Sequence, residues 1–72
     1  MAYTLTALIT RDGKWFIVRC PELGVVTQGR SLDEAMKNIQ EACHLRLDGE
    51  DPAEFPELSN ERPFVTTFDL AV

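Results

Sequence analysis

Basic residues are scarce in this chain: seven Lys and Arg stand against twelve Asp and Glu, for a formal charge of −5. Direct binding to nucleic acid or to an anionic membrane needs a basic footprint, which that balance does not supply. An acidic surface suits a basic partner instead. No run of about 18 apolar residues occurs, so nothing reads as a membrane span. Met1-Ala2-Tyr3-Thr4 has neither the basic nor the apolar region of a signal peptide, and a cytoplasmic location is the expectation. Cysteine is nearly absent too. Cys20 and Cys43 are the whole complement, too few for a disulfide scaffold. Adding His44, the single histidine, gives three possible metal ligands, but Cys43 and His44 are adjacent and no C-x-x-C occurs. Buried free thiols are therefore expected ahead of a disulfide or a metal site, and no cofactor is implied.

What is present is globular: 44% of the 72 residues are apolar and 8% aromatic. This length holds one domain, residues 1–72, at the lower edge of what a single core can stabilise. Domains below about 70–80 residues rarely gain more than roughly 3–5 kcal/mol from packing alone. With disulfide and metal set aside, oligomerisation is the natural remedy, as a dimer or a tetramer.

Period-two alternation marks Tyr3 to Thr10 as a strand, with Tyr3, Leu5, Ala7 and Ile9 on one side and Thr4, Thr6, Leu8 and Thr10 on the other. Asp12-Gly13 reads as a hairpin turn. Lys14 to Cys20 is a second strand, stopped by Pro21, which has no N–H for the ladder. Val25 to Gln28 is a short third strand closed by Gly29. Ser31-Leu32-Asp33-Glu34 fits a capping box and opens a helix that runs to Leu47, with Gly49 as its stop. Leu32, Met36, Ile39, Cys43 and Leu47 form its apolar stripe. An acidic, proline-containing loop follows over about 49–63, long enough to suspect a role. Phe64, Thr66, Phe68, Leu70 and Val72 alternate as a last strand.

The predicted fold is α+β, in the order β-β-β-α-β. A right-handed crossover through the helix places the last strand beside the first, giving sheet order 3-2-1-4 with one helix on one face. The other face is then open. With Asp12-Gly13 as a two-residue loop, Ile9 opposes Phe16 and Ala7 opposes Val18 under the helix. The open face carries Leu8, Trp15 and Ile17, an apolar patch of the kind that marks an interface. Two alternatives stay open. The acidic loop could cover the patch, with Phe55 or Leu58 as a lid. A three-residue bulged loop would shift the register by one and swap the faces of the second strand.

The chemistry-bearing residues point away from catalysis. Asp33 and Glu34 read as first-turn acids favoured by the helix dipole. A metal-dependent nuclease would need acids converging from several strands; Asp69 is on the last strand and the first strand has none. His44 reads as a surface residue near the helix C-terminus, and neither a nucleophile elbow nor a phosphate-cradling glycine loop occurs. The expectation is a protein that is not an enzyme.

The run Cys20-Pro21-Glu22-Leu23-Gly24-Val25-Val26-Thr27-Gln28-Gly29, followed by Ser31-Leu32-Asp33-Glu34-Ala35, Asn38 and Glu41-Ala42, resembles the HicB-like antitoxin family. The resemblance covers about residues 3–47. It departs at Leu23-Gly24, where many members insert a proline. It implies a partial RNase H-like fold and, as partner, a small basic HicA-type toxin that cleaves RNA. Many members also carry a C-terminal DNA-binding module. No recognition helix follows the last strand within these residues, so direct nucleic-acid binding is not carried over. The implied activity is neutralisation of the toxin, the alternative being an orphan homo-oligomer of structural or regulatory role. Trp15 is the candidate anchor of the interface. Glu22, Gln28 and the loop acids Glu50, Asp51, Glu54 and Glu57 are its candidate rim.

Overall fold

A computed structural model describes residues 3–51, 54–55 and 65–72. Three antiparallel strands form one sheet in the order β1-β2-β3: β1 is Leu8–Asp12, β2 Trp15–Cys20 and β3 Val25–Gly29. One helix, α1, spans Leu32–Leu47 and packs against β3 and β2. The α+β class and the single helix follow the sequence pattern.

The hairpin register differs from the predicted one by two residues. Asp12 pairs with Trp15, Arg11 with Phe16, Thr10 with Ile17, Ile9 with Val18 and Leu8 with Arg19, so the turn residues are Gly13 and Lys14. A turn centred on Asp12-Gly13 would require positive φ at both residues. The observed turn requires it only at Gly13 (φ 62°), where no Cβ resists it. A slip of two keeps every side chain on its face, because strand side chains alternate with period two. Leu8, Trp15 and Ile17 therefore still share one face.

The first strand also begins later than its alternation suggests, at Leu8 rather than Tyr3. Extending the register sets Thr6 opposite Pro21, which has no N–H to give and ends the ladder. The Thr6 N–H turns instead to the Glu22 carboxylate, donating to Oε1 at 2.9 Å. Residues 5–7 continue as chain without ladder pairing.

Helix α1 starts as its sequence prescribes. Ser31 is the N-cap, and its hydroxyl accepts the Glu34 N–H at 3.1 Å. Asp33 and Glu34 occupy the positive end of the dipole and His44 and Arg46 the negative end. The buried stripe is Ala35, Ile39 and Cys43, flanked by half-buried Met36 and Leu47; Leu32, expected in the stripe, is exposed. Gly29 explains the offset. A Cβ there would lie 2.5 Å from the Ala35 backbone nitrogen, so only glycine lets the first turn of the helix rest on β3. That contact rotates Ala35 inward and seats the helix over β3 and β2. The core that results joins Val18, Cys20, Leu23, Ala35, Ile39, Cys43 and Phe55, with both cysteines as free thiols.

The predicted fourth strand is not formed among the described residues. Residues 65–72 have no strand pairing and are exposed throughout, with Phe68 at 84% and Leu70 at 75% of full accessibility. Phe64 lies outside the described residues. Alternation of apolar residues shows that a segment can present one greasy face in extended form. It carries no information on whether an edge of the same chain lies within reach, because ladder partners are distant in sequence. The described sheet is therefore three-stranded, and the order 3-2-1-4 is not seen in it.

Candidate protein-binding surface

The sheet face away from α1 is built from alternate residues of three strands. Registered pairs place Asp12 beside Trp15, Thr10 beside Ile17 and Gln28, and Leu8 beside Arg19 and Val26. Leu8, Trp15 and Ile17 are half-buried, while Val26 is mostly exposed. The described helix packs on the opposite face, so this patch has no second layer among the described elements. Phe55 does not act as its lid: it is buried in the core on the helix side, with the Arg46 guanidinium 4.6 Å from its ring centre. Leu58, the other candidate lid, lies outside the described residues.

Trp15 is held in place by a neighbour that sequence reasoning did not single out. The Arg30 guanidinium sits 5.3 Å from the Trp15 ring centre, a cation–π contact that covers part of the indole. Arg30 lies between Gly29 and the helix cap, and β3 brings it back alongside the start of β2. With Arg19 on the same face and Asp12 paired to Trp15, charges of both signs surround the indole. A single pattern could have flagged Arg30: a cation one residue before a helix cap, at the end of a strand paired to a tryptophan-bearing one.

The predicted rim residues separate into three places. Gln28 is exposed on the face away from the helix. Glu22 is not on a rim at all. Its Oε1 accepts the Thr6 N–H at 2.9 Å and its Oε2 the Thr6 hydroxyl at 2.5 Å, and the Cys20 thiol lies 3.5 Å from Oε1. Partial burial works against the charge of this carboxylate, but the two Thr6 bonds outweigh it and hold the group below its usual range. Glu22 is thus a clamp on the N-terminal segment. Glu50 pairs with Arg46 (3.8 Å) one turn beyond it, and Asp51 and Glu54 are joined by a backbone bond of 2.9 Å. These three acids belong to the end of the helix, not to the Trp15 face. Glu57 lies outside the described residues.

The motif that carries the family resemblance is accounted for by folding. Pro21 ends the β2 ladder, Glu22 clamps Thr6, Leu23 is buried in the core, and Gly29 admits the helix. Asn38 donates to the Gln28 carbonyl at 2.9 Å, tying the helix to β3. Among the described residues no three His, Cys, Asp or Glu side chains gather in a metal-like group, and His44 is exposed on the last turn of the helix. Burial, eased by the Leu23 N–H and reinforced by the Cys43 thiol beside it, pushes the Cys20 thiol up to about 12, which leaves it protonated at neutral pH. Among the described residues, no helix is long and apolar enough to cross a membrane.

No protein-family model matches the chain. Over 68 residues, 93% of this chain and 94% of the relative, it is 32% identical to a UPF0150 protein of Helicobacter pylori strain J99.

Proposed function

The chain belongs to the UPF0150 family, and from that footing we propose that it is a noncatalytic antitoxin domain that binds and neutralises a small basic HicA-type toxin. It acts in the cytoplasm, through protein contacts and not on nucleic acid, and it also associates with itself. The observation that carries this reading is the apolar sheet face centred on Leu8, Trp15 and Ile17, which no second layer covers among the described elements. A sheet with one uncovered apolar face gains free energy when a partner covers it. Two further features support it. The residue pattern from Cys20 to Ala42 resembles HicB-like antitoxins. The net charge of −5, with Glu50, Asp51 and Glu54 gathered at one end of the helix, steers a cationic partner toward the molecule. On this reading the strands and helix described here are the core of a partial RNase H-like unit whose sheet order, once a fourth strand is added, is 3-2-1-4.

Co-expression with a small basic protein encoded beside this gene tests the proposal. Growth rescue from that protein's toxicity, and co-purification of the two, are expected. Trp15→Ala combined with Ile17→Glu should abolish both while leaving the far-UV circular dichroism unchanged. Absence of any toxin-like partner and of any rescue would remove the antitoxin reading. Rescue that survives the double substitution would move the contact to another face.

A further inference from the structure

Two features that have no partner among the described residues complement each other. One is the outer edge of β1. The β3 side of the sheet is occupied by the helix, through Ala35 on Gly29 and the Asn38 bond to the Gln28 carbonyl. Displaced toward β3, the helix leaves the β1 side of its own face without full cover among the described elements. Ile9 pairs with Val18 on that face, yet it is 43% accessible while Val18 is sealed. Where the chain leads into β1, a mostly apolar groove of about 180 Å³ lies between Leu5 and Ala7 on one side and Met36, Ile39 and Cys43 of the helix on the other, with Thr6 and Gln40 as its polar members. A cavity of about 150 Å³ accommodates a benzene ring. No described residue pairs with the outer edge of Leu8–Asp12.

The other feature is the segment 65–72, which has no helix or strand assignment and leaves Phe68 and Leu70 almost bare. Phe68 and Leu70 are two apart and so project to the same side of an extended chain. The Cα radius of gyration, 13.7 Å, exceeds the roughly 11 Å of a compact chain this long. An exposed alternating segment and an uncapped strand edge are each an association hazard that proteins normally remove by pairing.

We propose that residues 65–72 of one chain add as an edge strand to β1 of a second copy, with Phe68 entering the groove between residues 5–7, which lead into β1, and α1. The exchange is reciprocal, since a two-fold arrangement lets each copy give one segment and receive another. It supplies the fourth position of the sheet from the partner copy. The proposal gives the self-association above a definite interface and requires no toxin. It uses the edge and the helix side, not the Trp15 face, so a failed toxin assay and a failed exchange are separate results.

Light scattering across a wide concentration range, with the full chain and with Phe68→Asp/Leu70→Asp, tests it. The unaltered chain should show twice the single-chain mass. The double variant should associate at least about 100-fold more weakly, from the loss of two buried apolar side chains per segment. Hydrogen exchange on the unaltered protein needs no variant: amides of 65–72 should slow as the dimer forms. A single-chain mass at every concentration would overturn the proposal. So would a dimer indifferent to the double substitution, or slow exchange of 65–72 in a monomer, which would mean that the segment folds onto its own sheet.

Discussion

Removing the charge of Glu22 while keeping its shape is the sharpest probe of how this small fold is held. Glu22→Gln replaces a carboxylate that accepts from the Thr6 N–H and hydroxyl by an amide with one oxygen to offer. Hydrogen bonds to charged groups contribute about 1.5–3 kcal/mol each and neutral ones about 0.5–1.5. Glu22 is half-buried, so the lower ends apply, and the substitution should cost about 2 kcal/mol at neutral pH. For a domain this size that lowers Tm by roughly 10 °C. The pH dependence has a definite sign. The folded carboxyl ionises below its ordinary value of 4.5, so the unfolded chain takes up the proton first as pH falls. Stability from this site is present above about 4.5 and is lost below it, through the folded value. Urea unfolding of both proteins, at one protein concentration and between pH 7 and pH 3, measures this. The two curves should converge in acid. Equal stability at neutral pH, or a gap that persists unchanged in acid, would refute the clamp.

Gly29→Ala sets a methyl against the Ala35 backbone, which cannot move aside as a side chain could; a loss of about 3 kcal/mol or more in urea unfolding is expected. The raised Cys20 thiol should resist alkylation at pH 8 in the native protein and react once unfolded. Because its folded value lies near 12 against an ordinary 9.0, stability should also decline as pH rises above about 9, where only the unfolded thiol ionises. Arg30→Ala removes the cation over Trp15 and should shift the tryptophan emission while costing no more than about 1 kcal/mol of stability, read by thermal melting. Glu50→Gln breaks an exposed i,i+4 pair with Arg46 and should leave Tm within about 3 °C.

Much of the architecture was legible along the chain because its causes are local. Ser31 and Glu34 cap a helix through bonds three residues apart, and Pro21 stops a strand because it lacks an N–H. Alternation assigned Leu8, Trp15 and Ile17 to one face, and that assignment survived a two-residue error in register because the strand period is two. What failed was non-local. Glu22 has the composition of a surface acid, and only the arrival of Thr6 from sixteen positions earlier makes it a clamp. The loop acids were grouped with Trp15 by charge, yet Arg46 holds Glu50 to the far end of the helix. Phe55 could close either side of the sheet, and it joined the core that Gly29 and Ala35 had positioned. Residues 65–72 have the pattern of a strand, but a strand needs an edge to pair with, and none of the described strands pairs with them.

The order of residues thus determined three strands, a capped helix and a two-faced sheet, since each depends on backbone chemistry and side-chain period within a few positions. Tertiary structure alone decided which carboxylate is structural, which arginine shields the tryptophan, and which side of the sheet the helix covers. Those outcomes depend on groups that meet only after the chain has folded, at distances set by packing.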